Sequence, residues 1–248
     1  MANGRLTYVG HATVLIEVGG ARFLTDPLLH GGIAHMRRRV PLPQLEQLRD
    51  LDAVLISHAH ADHLDTRSLR MLGHAGAVIA PRGCAGILRR AGMRDVVELM
   101  PGDRHTVAGV EVEAVRADHD GRRHPFGQDI PAVGFLLEPA RIYFAGDTDL
   151  FDEMEDLAGV DVALLPIGGW GPKIGAGHLD PQRAAEAAAV LQPRIVVPIH
   201  WGTYLRVDLH RRRPHLLTDP APALESRLAE LAPKTEMRAL EPGQSLTV

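Results

Sequence analysis

The residues with the most chemistry to offer in this 248-residue chain stand at 57–63, in the run Ser57-His58-Ala59-His60-Ala61-Asp62-His63. Three imidazoles and one carboxylate fall within six residues there. His58 and His60 are two apart, so on an extended backbone their side chains share a face. Asp62 and His63 follow as the chain turns toward a helix. Imidazole nitrogen and carboxylate oxygen are the donors that a borderline divalent ion accepts. The apolar stretch Ala53–Ser57 reads as a strand that delivers the cluster to the edge of a core, which is not the setting of a chance histidine-rich surface loop.

Four local donors cannot fill two metal sites, and three further segments offer the complement. His119 follows a β run in EAVRADHDG. Asp147 ends the run RIYFAGDTD, where Gly146 permits a sharp turn. His200 ends RIVVPIHWG, with Gly202 close by. Each alone would read as a structural or surface residue. Together with the first cluster they read as one ligand set of His58, His60, Asp62, His63, His119, Asp147 and His200. Three residues lie outside that set. His178, in the Gly-rich GAGHLDP, either contacts substrate and hands a proton to the leaving group or caps the helix that follows. Asp26, in FLTDP, either orients a ligand histidine through its other ring nitrogen or opens a turn. His11, in YVGHATV, is a weaker case of the same kind. The runs Met36–Arg39 and His210–Arg213 could meet an anionic substrate, although such runs are more often solvated faces. Trp170 and Trp201 are candidates for the mouth of a pocket.

The elements that must position these residues are short β runs broken by Gly and Pro, alternating with a few helices. Strands are expected at Arg5–Tyr8, Val14–Val18, Arg22–Thr25, Ala53–Ser57, Ala77–Ala80, Val96–Leu99, Val110–Val115, Ala132–Leu137, Arg141–Phe144, Val162–Leu165, Ile195–Pro198 and Met237–Leu240. Gly19-Gly20 reads as a hairpin turn. Helices are expected at Thr66–Leu72, Gly83–Ala91, Asp180–Leu191 and Ala223–Leu231; the third has Asp180 as its cap and Pro181 at its first helical position. Leu28–Leu48 is the least regular stretch and reads as a long loop near the site. No linker or fixed-period repeat divides the chain, so one domain over 1–248 is expected. The pattern suggests two sheets packed face to face with helices outside and the site at strand ends, where layered α/β folds place function.

Composition narrows the function. The formal net charge is −4, and a nucleic-acid binder usually shows a basic excess, so no nucleic-acid partner is expected. Cys84 is the one cysteine, so no intrachain disulfide forms and no oxidising compartment is needed. The N-terminal run lacks the layout of a signal peptide, and the apolar runs are too short to span a bilayer. A cytoplasmic protein without a transmembrane segment is expected, acting on a small molecule or lipid; homo-oligomerisation is compatible with the sequence.

HAHADH, then ADH, FAGDTD and PIHWG, in that order, resemble the metallo-β-lactamase fold superfamily over nearly the whole chain. YVGHATVLIEVGGARFLTDP, GHLDP and PIHWGTY are similar to the branch with N-acylphosphatidylethanolamine phospholipase D-like and L-ascorbate phosphate lactonase-like hydrolases. The resemblance implies an α/β fold, a four-layer αββα sandwich of two packed mixed β-sheets with helices outside. It also implies a dinuclear site: His58, His60 and His119 on one ion, Asp62, His63 and His200 on the other, Asp147 bridging both, and a histidine at 178 near the site. Zinc is the expected metal, with manganese or iron also compatible with His/Asp donors. A divalent ion lowers the pKa of its water to about 7, so a metal-bridged hydroxide would attack phosphorus or a carbonyl carbon. The expected activity is hydrolysis of a phosphodiester or a lactone or other ester, with Asp62 and His178 as catalytic residues. A nuclease on the same fold and a non-catalytic metal-binding protein are the competing readings. The first would need a basic face or an added RNA-binding domain, and the second usually shows eroded ligands.

Overall fold

A computed structural model describes residues 4–73, 76–123, 127–168 and 174–248. The strands, in chain order, are β1 (Arg5–Gly10), β2 (Thr13–Val18), β3 (Ala21–Thr25), β4 (Gly32–Ile33), β5 (Met36–Arg38), β6 (Ala53–Leu55), β7 (Ala77–Pro81), β8 (Val96–Leu99) and β9 (Arg104–Val107). There follow β10 (Val110–Asp120), β11 (Pro131–Glu138), β12 (Ile142–Phe144), β13 (Val162–Pro166), β14 (Ile195–Ile199), β15 (Tyr204–Arg206), β16 (Glu236–Met237) and β17 (Ser245–Thr247). The helices are α1 (Thr66–Leu72), α2 (Ala85–Arg90), α3 (Pro181–Leu191) and α4 (Pro220–Leu231). One seven-stranded sheet runs β17-β1-β2-β3-β6-β7-β8 and the other β16-β14-β13-β12-β11-β10-β9.

Alternating side chains build three cores from these two sheets. Val14, Ile16, Phe23, Leu55 and Ile79 of the first sheet meet Val112, Phe135, Phe144, Leu164 and Val197 of the second, giving the central layer contact. Their neighbours point outward. Leu24, Val54, Ile56 and Val78 pack under Leu69 of α1 and Leu88 of α2. Leu136, Tyr143, Ala163, Leu165 and Val196 pack under Ala184, Ala188 and Leu191 of α3 and Leu224 and Leu228 of α4. The order is helix, sheet, sheet, helix, the expected αββα sandwich. Small alanines along α3 let that helix lie close to its sheet.

Both sheets change direction internally. β1, β2 and β3 are antiparallel, whereas β3, β6, β7 and β8 are parallel. In the second sheet β9 to β12 are antiparallel, and β12, β13, β14 and β16 are parallel. The loops after β3, β6, β12 and β14 leave from the carboxyl ends of strands at or beside those switches, where open α/β sheets leave a crevice.

The caps agree with the sequence reading: Asp180 accepts from Arg183 N at the start of α3, and Gly19-Gly20 joins β2 to β3. Four readings need correction. Leu28–Leu48 is not one long loop: β4 and β5 form a hairpin on which β15 pairs, a third sheet, and Leu45–Leu48 is a 3-10 turn. The strand expected at Ala53–Ser57 ends at Leu55, because Ser57 gives its N–H to Asp26 and not to a strand neighbour. The strand expected at Met237–Leu240 is Glu236–Met237 alone. β9 and β17 were not expected at all; each is a short, largely exposed edge strand without an apolar run. Among the described residues no helix is long and apolar enough to cross a membrane.

Candidate metal centre

Every candidate donor leaves a strand end on the same side of the sandwich. His58, His60, Asp62 and His63 lie in the loop between β6 and α1, His119 is the penultimate residue of β10, Asp147 follows β12, and His200 directly follows β14. Gly146 has φ +63°, and a Cβ there would stand 2.5 Å from the Ser57 Cβ, so only glycine lets the second sheet approach the first at this point.

The first donor group is His58, His60 and His119. His58 Nε2 lies 2.9 Å from His60 Nδ1, and His119 Nε2 lies 3.1 Å from the same atom. Tetrahedral ligands about 2.0–2.1 Å from one ion stand roughly 3.3 Å apart, close to these separations. For His119 and His58 a partner on the far side of the ring sets the tautomer. His119 Nδ1 donates to the Gly177 carbonyl at 2.8 Å. His58 Nδ1 meets Ser57 Oγ at 3.0 Å, and that hydroxyl donates to Asp26 Oδ2 at 2.6 Å, so the His58 ring N–H faces the serine. Two Nε2 lone pairs therefore converge on one His60 nitrogen, which has at most one hydrogen to share. Burial holds His58 well below the usual imidazole range and brings His119 down to about 4, so both rings are neutral at pH 7, the form a cation needs.

The second group is Asp62, His63 and His200, with His11 beside them; one donor atom from each lies within 4.8 Å of the others. His63 Nδ1 donates to Asp26 Oδ2 at 2.7 Å, which leaves Nε2 facing inward. That Nε2 is 3.2 Å from Asp147 Oδ2 but not aligned for a hydrogen bond. His200 Nε2 is 3.6 Å from Asp62 Oδ2 and 3.5 Å from Asp147 Oδ1. His63 Nε2, both ring nitrogens of His200 and Asp147 Oδ1 are buried and have no hydrogen-bond partner among the described residues. Orphaned buried donors are costly in apolar surroundings unless something satisfies them, and this set fits a divalent cation. Asp147 also falls within 4.8 Å of His58 and His63 together and of His119 and His178 together, so it stands between the two groups. Burial would raise both carboxyls, but His63, His11 and His200 hold Asp62, and His200, His63 and His178 hold Asp147, well below the carboxylate range.

The outer residues are placed as follows. Asp26, wholly buried, accepts from Ser57 N at 2.7 Å through Oδ1 and from Ser57 Oγ and His63 Nδ1 through Oδ2. It thus reaches both donor groups, one directly and one through Ser57. His11 Nε2 donates to Asp62 Oδ2 at 3.0 Å, and its ring lies 4.0 Å from that of His200. Burial, more than its neighbours, brings His11 down to about 4. His178, on the rim, puts Nε2 3.4 Å from Asp147 Oδ2 and its ring 4.6 Å from His119. Ser57 and Thr203 escaped the sequence reading. Ser57 stands next to His58, a signal that could have been followed. Thr203 Oγ1 accepts from His11 N at 2.8 Å, a contact between distant segments that no local pattern announces. The Met36–Arg39 run is largely structural: Arg38 donates to the carbonyls of Val9 and Pro41. Trp201 lines a cavity of about 470 Å³ with Val40, Leu217 and Pro222. Trp170 lies outside the described residues.

Residues 21–201 match the model of the family described as a beta-lactamase superfamily domain. A UPF0173 metal-dependent hydrolase of Opitutus terrae is 35% identical over 225 residues, covering 84% of this chain and 89% of that protein. The N-acyl-phosphatidylethanolamine-hydrolyzing phospholipase D 1 of Caenorhabditis elegans is 30% identical over 229 residues, covering 80% of this chain and 64% of that protein. Among solved structures, the metallo hydrolase Igni18 from Ignicoccus hospitalis aligns with a TM-score of 0.75 at 25% identity, covering 99% of this chain and 98% of that one.

Proposed function

The chain belongs to the beta-lactamase superfamily and is a metal-dependent hydrolase, and from that premise we propose that it works as one domain over residues 1–248 with a dinuclear centre that opens phosphodiester bonds in a small-molecule or lipid substrate. In this reading His58, His60 and His119 hold one ion, Asp62, His63 and His200 the other, and Asp147 both. The observation that carries it is the pair of overlapping donor groups linked through Asp147, in which partners on the far side of the His58, His63 and His119 rings turn each Nε2 inward. Zinc suits the His/Asp donors, and manganese or iron would also be accepted. Divalent ions in such a site supply Lewis acidity, lowering the pKa of water to about 7 and offsetting charge that develops on the substrate.

The protein's own groups do the rest. Asp26, directly and through Ser57, keeps the His63 and His58 rings in the tautomer that presents Nε2 inward. His11 fixes the Asp62 carboxylate by its hydrogen bond to Oδ2, so that Asp62 acts in catalysis as a carboxylate of set orientation. His178, at the rim, hydrogen-bonds the departing oxygen through Nε2 or hands it a proton. The phosphodiester is favoured over a lactone by the named reaction of the Caenorhabditis elegans relative; either substrate presents the electrophilic centre and leaving oxygen that this arrangement serves. The test is elemental analysis of gently purified protein followed by a rate panel with bis(p-nitrophenyl) phosphate and a set of lactones. About two metal equivalents and faster turnover of the phosphodiester are expected. A single equivalent that cannot be raised by reloading would overturn the dinuclear reading, and lactone turnover alone would overturn the phosphodiester assignment.

A further inference from the structure

On the outer side of the first sheet, α1 and α2 flank a groove of about 610 Å³ that the hydrolase site does not use. Thr66 and Arg70 stand one turn apart on α1 and form one wall. Arg90, in the last turn of α2, lines it as well; Arg123 stands at the end that borders the His/Asp loop, and Gln128 lies beside Gly83. Gly86, one turn before Arg90, leaves that wall open: an added Cβ would meet nothing nearer than Arg90 Nη1 at 3.5 Å.

The charge of this groove is one-sided. Among the described residues no carboxylate lines it, and none of its three arginines enters an ion pair. Elsewhere on the surface some arginines are matched by acids, as Arg104 is by Glu113, Arg116 by Glu153 and Arg141 by Glu138, while others, such as Arg89 and Arg194, enter no ion pair among the described residues; what sets the groove apart is three such arginines around one concavity. In a chain of net charge −4, three guanidiniums around one concavity repel each other with no carboxylate among the described residues lining it to offset them. Guanidinium is a planar, always-charged fork suited to phosphate oxygens. The Thr66 hydroxyl and the Gln128 amide add neutral donors for the same oxygens.

We propose that this groove is a binding site for a soluble small molecule carrying two or more phosphate groups. Three positive charges call for a polyanion, and the volume falls in the range of about 300–1,000 Å³ that accommodates small-molecule ligands, well beyond one orthophosphate. The site also touches the hydrolase centre from behind. Arg123 Nη1 donates to the carbonyls of Ala59 at 3.0 Å and Leu64 at 2.9 Å, which bracket His60, Asp62 and His63. The inference does not depend on the ion assignments or substrate proposed above.

The experiment is calorimetric titration of the metal-loaded protein with inorganic pyrophosphate, with acetate as comparator, on wild type and on the double variant Arg70→Gln/Arg90→Gln. Neither arginine belongs to the hydrolase centre, so metal content and basal rate serve as the check that the variant is folded. Saturable pyrophosphate binding is expected, weakened at least about tenfold in the variant, since charge-assisted bonds are lost, and weakened by added salt. Absence of saturable heat up to about 10 mM would overturn the site, and so would an unchanged isotherm in the variant, which would assign the binding to the metal centre. Equal affinity for acetate would reduce the groove to a general positive surface. Sedimentation of the protein with phosphatidylglycerol vesicles, undisturbed by pyrophosphate, would replace the soluble ligand by a membrane surface and refute the proposal.

Discussion

Asp26→Asn is the most informative single change, because it alters one buried atom and should disturb both donor groups. In the native chain Asp26 accepts three hydrogen bonds: from Ser57 N at 2.7 Å, Ser57 Oγ at 2.6 Å and His63 Nδ1 at 2.7 Å. A backbone N–H cannot become an acceptor, so the amide oxygen of Asn must stay opposite Ser57 N. Its NH2 then takes the place of Oδ2 and faces Ser57 Oγ and His63 Nδ1. To avoid opposed hydrogens, His63 must move its proton to Nε2, the atom that faces Asp147. Ser57 must turn to accept from the amide, and its own hydrogen then points at His58 Nδ1, which drives the His58 proton to Nε2 as well. One substitution thus places hydrogens on two nitrogens proposed to bind different ions. Each loses a charge-assisted arrangement worth about 1.5–3 kcal/mol, or roughly 10–100-fold in metal affinity, the size usual for changes behind a ligand. Competition against a chelator of known affinity would read both ions. Affinity should fall at both in Asp26→Asn but only on the His58 side in Ser57→Ala, which leaves the Asp26–His63 bond in place. Wild-type affinity at both ions in Asp26→Asn would refute the tautomer reasoning, and a loss confined to folding stability would reduce Asp26 to a structural residue.

Gly146→Ala should cost roughly 2–5 kcal/mol and weaken metal retention, since a Cβ would stand 2.5 Å from Ser57 Cβ at φ +63°; urea unfolding checks it. His178→Ala should keep its full metal content while the rate falls by about 10²–10⁴, less for substrates with good leaving groups; loss of one equivalent would make His178 a metal ligand. Tyr143→Phe should raise stability by about 1 kcal/mol, because the Tyr143 hydroxyl is wholly buried with no partner among the described residues; a lower melting temperature would show that the hydroxyl is satisfied. Metal removal should lower the melting temperature while leaving the far-ultraviolet dichroism intact, since the core between the sheets has no part in the centre; a non-cooperative transition would contradict this.

The sequence made the first cluster legible because its four donors fall within six residues and an apolar strand leads into them. His119, Asp147 and His200 were legible for a related reason: each stands at or just after the end of a β run, and a strand end is where a polar side chain can leave the core. The four-layer order was implied by the family resemblance, and the strands agree with it: β12, β13 and β14 are buried on both faces, as strands covered on both sides must be. What stayed hidden depends on pairing between distant segments. β15 joins β5 through Tyr204 opposite Arg38, and nothing local in HMRRR or TYLRV announces the match. From the sequence Asp26 can orient a histidine or open a turn; its reach to a second histidine through Ser57 depends on the register of β3 against β6. β9 begins with Arg104 and His105, and its pairing to β10 rather than any apolar pattern makes it a strand.

The backbone around the centre shows how the two sheets hold these donors together. His11, Asp26 and His200 all have left-handed φ, at 59°, 32° and 59°, conformations that cost an L-residue roughly 1–2 kcal/mol each. Each stands where a strand has just ended and the side chain must leave the plane of the sheet. The cost is met by specific bonds. His200 N donates to the His11 carbonyl at 2.8 Å, His11 N to Thr203 Oγ1 at 2.8 Å, and Asp26 N to the Leu55 carbonyl at 2.9 Å. The first joins a turn of one sheet to a strand end of the other, and Val133 N to the Ser57 carbonyl at 2.9 Å joins them again. Left-handed residues at these positions are therefore part of how the donors are aimed: the sheets close on each other through the same short segments that carry the site. A donor set fixed in this way has little freedom left to lose when a cation enters, which is the physical basis of preorganisation.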